Sequence, residues 1–223
     1  NIGEVQRRGD SWSFKSKIKK GETGIASGKI IEAIDAVPKN GTLQAAQNHF
    51  IRKDIFDALI RAHERGVRIE MVLNGGEFDG SPGAKNDIKF LDEKLAKDYG
   101  IDVRYKASSY TDVRGPKQMH LKYTILNGTK VISGSYNWSD TSERMNWENI
   151  IVMDDTNVVK EYQKNFQTLQ SYGSKKDYQD LLESAKKRTA TCLYPTPVSL
   201  THDEMVALRK AFGNFNPCRS GKN

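Results

Sequence analysis

Cysteine is scarce in this chain: Cys192 and Cys218 are the only two among 223 residues, and both lie near the C-terminal end. Two thiolates cannot complete a tetrahedral zinc site, and their spacing matches no common zinc pattern. A disulfide-dense scaffold is excluded as well. One disulfide or two free thiols both remain open; the first would imply an oxidising compartment. No apolar run approaches the roughly 20 residues that a membrane-spanning helix needs. Histidine is limited to four residues, and no Asp/Glu/His cluster suits a hydrolytic metal pair. No metal and no cofactor are therefore expected, and activity should survive chelators. There is no internal repeat. The chain begins at Asn1 rather than methionine, and together with the cysteines this sets the expectation of a secreted or periplasmic protein.

What is abundant is positive charge. Thirty-five Lys and Arg against 28 Asp and Glu leave a net charge of +7, with a pI near 9.2. A basic balance of this size favours an anionic partner such as nucleic acid, although it also fits an ordinary basic soluble protein. Hydrophobic residues make up 37% of the chain, enough to bury a substantial core at this length.

Hydrophobic periodicity alternates between helix and strand. Residues 26–37 carry Ile30, Ile31, Ala33, Ile34 and Val37 at helical spacing before Pro38. Residues 42–50 read as a strand, 54–64 as an amphipathic helix on Ile55, Ala58, Leu59 and Ala62, and 67–73 as a second strand. A helix over 85–99, a strand over 101–105, a hairpin over 123–132 and a strand over 148–153 follow, then helices over 157–169 and 174–187. This order predicts an α/β fold, a central mixed β-sheet flanked by helices. Residues 1–188 form the expected main domain. Residues 189–223 read as an appended tail with a short helix opened by a capping box at Thr201-His202-Asp203-Glu204, tethered if the two cysteines pair. Residues 1–22 offer only Ser11-Trp12-Ser13-Phe14 as a hint of strand.

The chemistry concentrates in one stretch. His120 and Lys122 are two residues apart and project from the same face of a strand. Ser135 and Asn137 repeat that spacing just after Gly134, and Glu148 follows in Asn146-Trp147-Glu148-Asn149. A nucleophile beside fixed positive charge and neutral donors is what phosphoryl transfer requires. Between the halves, Asn127-Gly128 separates two β-rich runs and signals a two-residue type I′ hairpin. Residues 107–119 form a loop carrying Arg114 and Lys117 directly into His120. These two side chains are candidates for phosphate contacts, against the alternative of an ordinary connection.

The spacing His120-x-Lys122-x4-Asn127-x6-Gly134-Ser135-x-Asn137 resembles the HKD signature of the phospholipase D superfamily. A weaker resemblance covers residues 30–73. With one copy of the motif in a short chain, the sequence is most similar to the bacterial Nuc-type endonucleases. One position departs: Asn127 stands where the family has aspartate, in a turn expected to lie away from the reacting phosphorus. The resemblance implies a phospholipase D-like sandwich and a metal-independent phosphodiesterase, expected to be a non-specific endonuclease on DNA, with RNA as a further substrate. It implies that His120 forms a phosphohistidine and that Glu148 orients its far ring nitrogen. Lys122 and Asn137 would hold the phosphoryl oxygens, and Ser135 would donate a supporting hydrogen bond. A single motif also implies a homodimer with two His120 rings in one cleft at a two-fold axis.

His49 is the only other histidine expected near the site, either in direct contact with substrate or as a hydrogen-bonded structural residue; His63 and His202 read as surface residues. Trp138 is open between stacking on a base and packing in the core, whereas Trp147 is expected in the core. Gly24-Ile25-Ala26-Ser27-Gly28-Lys29 has the glycines of a phosphate loop at too short a spacing and reads as a helix start. Two alternatives stand beside the nuclease: a phospholipase or phosphatidyltransferase of the same superfamily, for which no apolar lipid-entry surface is legible, and an inactive nucleic-acid-binding member.

Overall fold

The computed structural model describes residues 3–9, 11–79, 90–109, 118–189 and 193–213. The candidate phosphate contacts Arg114 and Lys117, and both cysteines, lie outside the described residues. A hairpin of β1 (Gly3–Arg8) and β2 (Ser11–Ser16) forms a two-stranded sheet of its own, where the sequence offered only part of one strand. The main sheet has seven strands: β3 (Thr42–Gln47), β4 (Arg68–Asn74), β5 (Asp102–Ser109), β6 (Lys122–Leu126), β7 (Lys130–Gly134), β8 (Ile150–Met153) and β9 (Leu193–Thr201). They lie in the order β8-β7-β6-β3-β4-β5-β9. β3, β4 and β5 run parallel, and the other pairings are antiparallel, which is the expected mixed sheet.

The helix between β3 and β4 makes the first parallel crossover, and the helix before β3 lies beside it. α1 (Ile25–Asp35) buries Ile30 and Ile34, and α2 (Lys53–Glu64) buries Ile55, Phe56, Ala58, Leu59 and Ala62. α2 has Asp54 in its first turn, where the helix dipole favours an anion. It ends at Gly66, whose φ of 81° an L side chain tolerates poorly. α3 (Leu91–Asp98) completes the next crossover. A short helix α4 (Asp140–Arg144) follows β7. Then come α5 (Thr156–Gln170), capped by Asp155, and α6 (Lys175–Lys186), opened by a Ser174–Asp177 capping box.

The sheet divides the core in two. Alternation along β3 and β6 sends Leu43, Ala45 and Leu126 towards α1 and α2. Ala46, Tyr123 and Ile125 point the other way, against Val159, Phe166 and Leu169 of α5. The β6–β7 turn is the type I′ hairpin that its sequence signals: Asn127 and Gly128 have φ of 49° and 64°, and Thr129 N donates to Leu126 O at 3.1 Å. Asn127 therefore sits at the end of β6 opposite to Lys122, about 17 Å away at strand rise.

The segment read from sequence as an appended tail belongs to the main body. β9 pairs antiparallel with β5 at the sheet edge, and α7 (His202–Phe212), opened by the Thr201–Glu204 capping box, packs Met205, Leu208 and Phe212 into the main core. β9 contains Pro195 and Pro197, and an edge strand tolerates residues that cannot donate to a ladder. His202 is likewise not a surface residue: it is buried beside Phe78 and Tyr105. His63 is half-buried and meets the Tyr99 ring edge-on.

Candidate active site

Strand register gathers the motif at one end of the sheet. β3 and β4 end there with Gln47 and Asn74, β7 ends there with Gly134, and β6 begins there with Lys122. Open α/β sheets present ligands at the carboxyl ends of their parallel strands, and this is that end.

His120 is exposed just ahead of β6, whereas Lys122 is buried. The Lys122 ammonium donates to the His120 carbonyl at 2.9 Å and stands 3.3 Å from Nδ1 and 3.4 Å from Nε2 of the ring. Burial pushes the Lys122 ammonium below its ordinary value, and the charge of Glu148 pulls it back up. Lys122 is thus a partly desolvated cation beside the imidazole that feels the charge of that carboxylate. Gln47, its cross-strand neighbour, shares its face.

Gly134 lets the β7 end and the Glu148 segment approach. A Cβ there would run into the Asn149 carbonyl. The closeness allows Ser135 N to donate to Asn149 O at 3.1 Å and Asn149 N to donate to Ser135 Oγ at 3.1 Å. Ser135 Oγ in turn donates to Glu148 Oε2, and Asn146 Nδ2 donates to Glu148 Oε1 at 3.0 Å. This corrects one expectation: the Glu148 carboxylate engages Ser135 and Asn146, and the His120 ring lies against Lys122 instead. Asn137 donates its backbone N–H to Ser142 Oγ at 3.3 Å, while its side-chain oxygen is buried without a hydrogen-bond partner.

Of the two tryptophans, Trp138 takes the core alternative and Trp147 departs from its expected place in the core. Trp138 is 1% exposed and meets Phe50 edge-on at 5.4 Å, so it cannot stack on a base; Trp147 is 93% exposed. The reason for the first is backbone pairing. Trp138 N donates to His49 O at 3.1 Å and Ile51 N donates to Trp138 O at 2.8 Å, which draws the indole under the sheet end.

Sequence reasoning missed two supports. One is Glu77, on the 3-10 turn Gly75–Asp79 and 3% exposed, which accepts from His49 Nδ1 at 2.8 Å and from Phe50 N at 3.0 Å. The other is a buried polar clamp on the segment after the motif. Arg52, 1% exposed, binds Asp54 and donates to Asp140 at 2.7 Å. Glu143 accepts from Ser27 N at 3.0 Å, at the start of α1, and from the Tyr136 hydroxyl. Burial and then Glu143 push the Tyr136 phenol well above its ordinary value, so it remains a donor. Among the described residues no group of three or more His, Cys, Asp or Glu could hold a metal ion, and no helix is long and apolar enough to cross a membrane.

The chain is 36% identical over 112 residues to the mitochondrial cardiolipin hydrolase of Xenopus laevis, covering 50% of this chain and 46% of that one. It is 31% identical over 112 residues to the phospholipase D of Rickettsia felis, covering 50% and 48%. The chain thus spans about half the length of these curated relatives. Its fold is similar to that of Nuc from Salmonella typhimurium, a phospholipase D family member, with a TM-score of 0.51 and 23% identity over 65% of this chain and 86% of that one. NucT from Helicobacter pylori is similar to the same extent, with a TM-score of 0.52 and 21% identity over 65% and 86%. The family model described as cardiolipin synthase, PLD-like domain, matches residues 30–170, well over half of the chain, and the protein belongs to this phospholipase D-like family.

Proposed function

We propose that the chain is a metal-independent endonuclease that cleaves DNA, and RNA as a second substrate, through a phosphohistidine on His120. The observation that carries this reading is the placement of exposed His120 against buried Lys122, with Ser135 and Glu148 at the same sheet end. An exposed imidazole can reach a phosphorus atom. A cation held beside it offsets the charge that grows on the equatorial oxygens. The net charge of +7 favours a polyanion over a neutral ester.

The steps use this chain's own residues. One ring nitrogen of His120 attacks phosphorus while Lys122 holds a non-bridging oxygen. The resemblance assigns the Asn137 amide to the same oxygens. Ser135 and Asn146 fix the Glu148 carboxylate, which balances the Lys122 charge. The leaving oxygen needs a proton, and the resemblance assigns that task to His120 of a second copy across a two-fold axis.

A second reading, hydrolysis of an anionic phospholipid, has its own support. Trp147 is 93% exposed beside Glu148, and Met145, two residues away, is 48% exposed, apolar surface that the sequence did not reveal. Relatives named cardiolipin hydrolase point the same way. The two are separated by offering purified protein equal phosphodiester concentrations of single-stranded DNA and of cardiolipin vesicles. Faster turnover of DNA supports the nuclease; turnover of the lipid alone overturns it.

A further inference from the structure

We infer that Gln47 is a positioning residue for Lys122: from the neighbouring strand, its side-chain oxygen anchors the lysine ammonium beside His120. The inference deepens the phosphodiesterase reading above, and its central readout does not depend on that reading.

The placement follows from pairing inside the strands. β3 and β6 run antiparallel, and Gln47 lies directly opposite Lys122. Directly paired residues project from one face of the sheet, with Cβ atoms about 4.5–5.5 Å apart. On β3 that face is apolar up to this point, since Leu43 and Ala45 are fully buried in the main core. Gln47 continues the series at 1% exposure and brings an amide where the pattern calls for an aliphatic side chain. On β6 the same face carries Lys122 and Thr124, both buried, before Leu126 rejoins the core.

A buried amide needs partners, because an unmatched polar group in a core is destabilising. The Gln47 amide nitrogen donates to Tyr123 O at 3.5 Å, a long bond. Its oxygen is buried with no hydrogen-bond partner in the protein. Gln47 and Lys122 line one cavity, together with Thr124, Ser133, Gly134 and Tyr136. The cavity measures about 10 Å³, close to the least that admits a water molecule. The amide oxygen and the ammonium thus border a gap that a single water can bridge.

Lys122 has the complementary need. An ammonium carries three N–H donors. One goes to the His120 carbonyl at 2.9 Å. A second, given through the cavity to Gln47 Oε1, fixes the head group from beneath. The third meets the His120 ring in the free protein and is left for an oxygen of the bound phosphodiester. An acceptor oxygen at Gln47 also favours the charged form of the lysine, against the burial that pushes it down. The other titratable groups around Lys122 are the His120 ring, the Glu148 carboxylate and, on the cavity wall, the Tyr136 phenol, which donates to Glu143.

The test titrates Lys122 directly. Protein carrying isotope-labelled lysine is followed by NMR across alkaline pH, with the Lys122 signal identified by its loss in Lys122→Arg. Gln47→Met, close in volume, should lower the Lys122 midpoint by about one unit, the worth of one hydrogen bond. Gln47→Glu sets a carboxylate beside the ammonium and should raise the midpoint by about 1–3 units. The alkaline limb of oligonucleotide cleavage should move in the same two directions. Opposite shifts from two side chains of similar size are not what a packing role produces. Thermal melting establishes which variants are folded, and either one decides the question by the sign of its shift. A midpoint unchanged in both variants, or moved the same way by both, overturns the inference. If the midpoints move as expected while the wild type cleaves no phosphodiester, the anchoring of Lys122 stands and the nuclease reading falls.

Discussion

The Lys122 ammonium lies 3.3 Å from one ring nitrogen of His120 and 3.4 Å from the other, and it donates to that residue's carbonyl at 2.9 Å. A strand makes this possible: residues i and i+2 share a face, so a buried lysine stem can carry its charge up to an exposed imidazole. The cation is costly where it stands, since burial is what pushes its proton affinity down. Function and stability therefore pull in opposite directions at Lys122.

Replacing that lysine should show the conflict. Lys122→Met is expected to lower kcat about 10²–10³-fold, the usual effect of removing one electrostatic contact to the transition state. It should also raise stability by about 0.5–2 kcal/mol at neutral pH. The folded-state pKa is depressed, so the unfolded chain binds the extra proton and wild-type stability rises as pH climbs towards the free lysine value. The variant should lack that rise. Urea denaturation at pH 7 and pH 10 measures both effects.

Gly134 is the hinge of the Ser135–Glu148 contact. Gly134→Ala should force the Asn149 carbonyl away, destabilise the fold by about 1–3 kcal/mol and impair cleavage even where the protein remains folded. Thermal melting and activity measured on one preparation test this.

Asp92 gives a pH signature remote from the site. Burial pushes its carboxyl up to about 6, with the hydrogen bond from Tyr105 at 2.6 Å acting against the shift. A raised carboxyl favours the protonated folded state, so its contribution is fully present below the ordinary value near pH 4 and is lost as pH rises through about 6. Asp92→Asn should match the wild type at pH 4 and exceed it above pH 7 by on the order of 2–3 kcal/mol. Denaturation midpoints at the two pH values decide it. A constant difference would contradict the assignment.

Trp138 and Trp147 should behave as opposites. Trp138→Ala is expected to cost about 3–5 kcal/mol, the range for emptying a large buried site. Trp147→Ala should change stability by less than about 0.5 kcal/mol and weaken substrate binding. Melting temperatures and binding titrations separate the two.

How much of this was legible depended on whether the signal was local. The i, i+2 spacing of His120 and Lys122 needs only strand periodicity, and the Asn127-Gly128 hairpin needs only two residues that accept positive φ. Both lie where the sequence set them. Glu77 could not be found in that way, because its contact with His49 joins a turn and a strand end that meet only through β3–β4 pairing. The tryptophans are equally large and apolar, so their side of the sheet is decided by backbone bonds from Trp138 to residues 49–51. β9 was not legible because its pairing with β5 joins segments far apart in sequence.

The most direct measurement is cleavage of plasmid and oligonucleotide DNA by wild-type protein and His120→Ala in excess EDTA. His120 is exposed, so the variant should melt within about 0.5 kcal/mol of the wild type, while its cleavage should fall by about 10⁴-fold or more. Wild-type cleavage in the chelator with none from the variant is the predicted result. Wild-type turnover retained by His120→Ala would contradict the account.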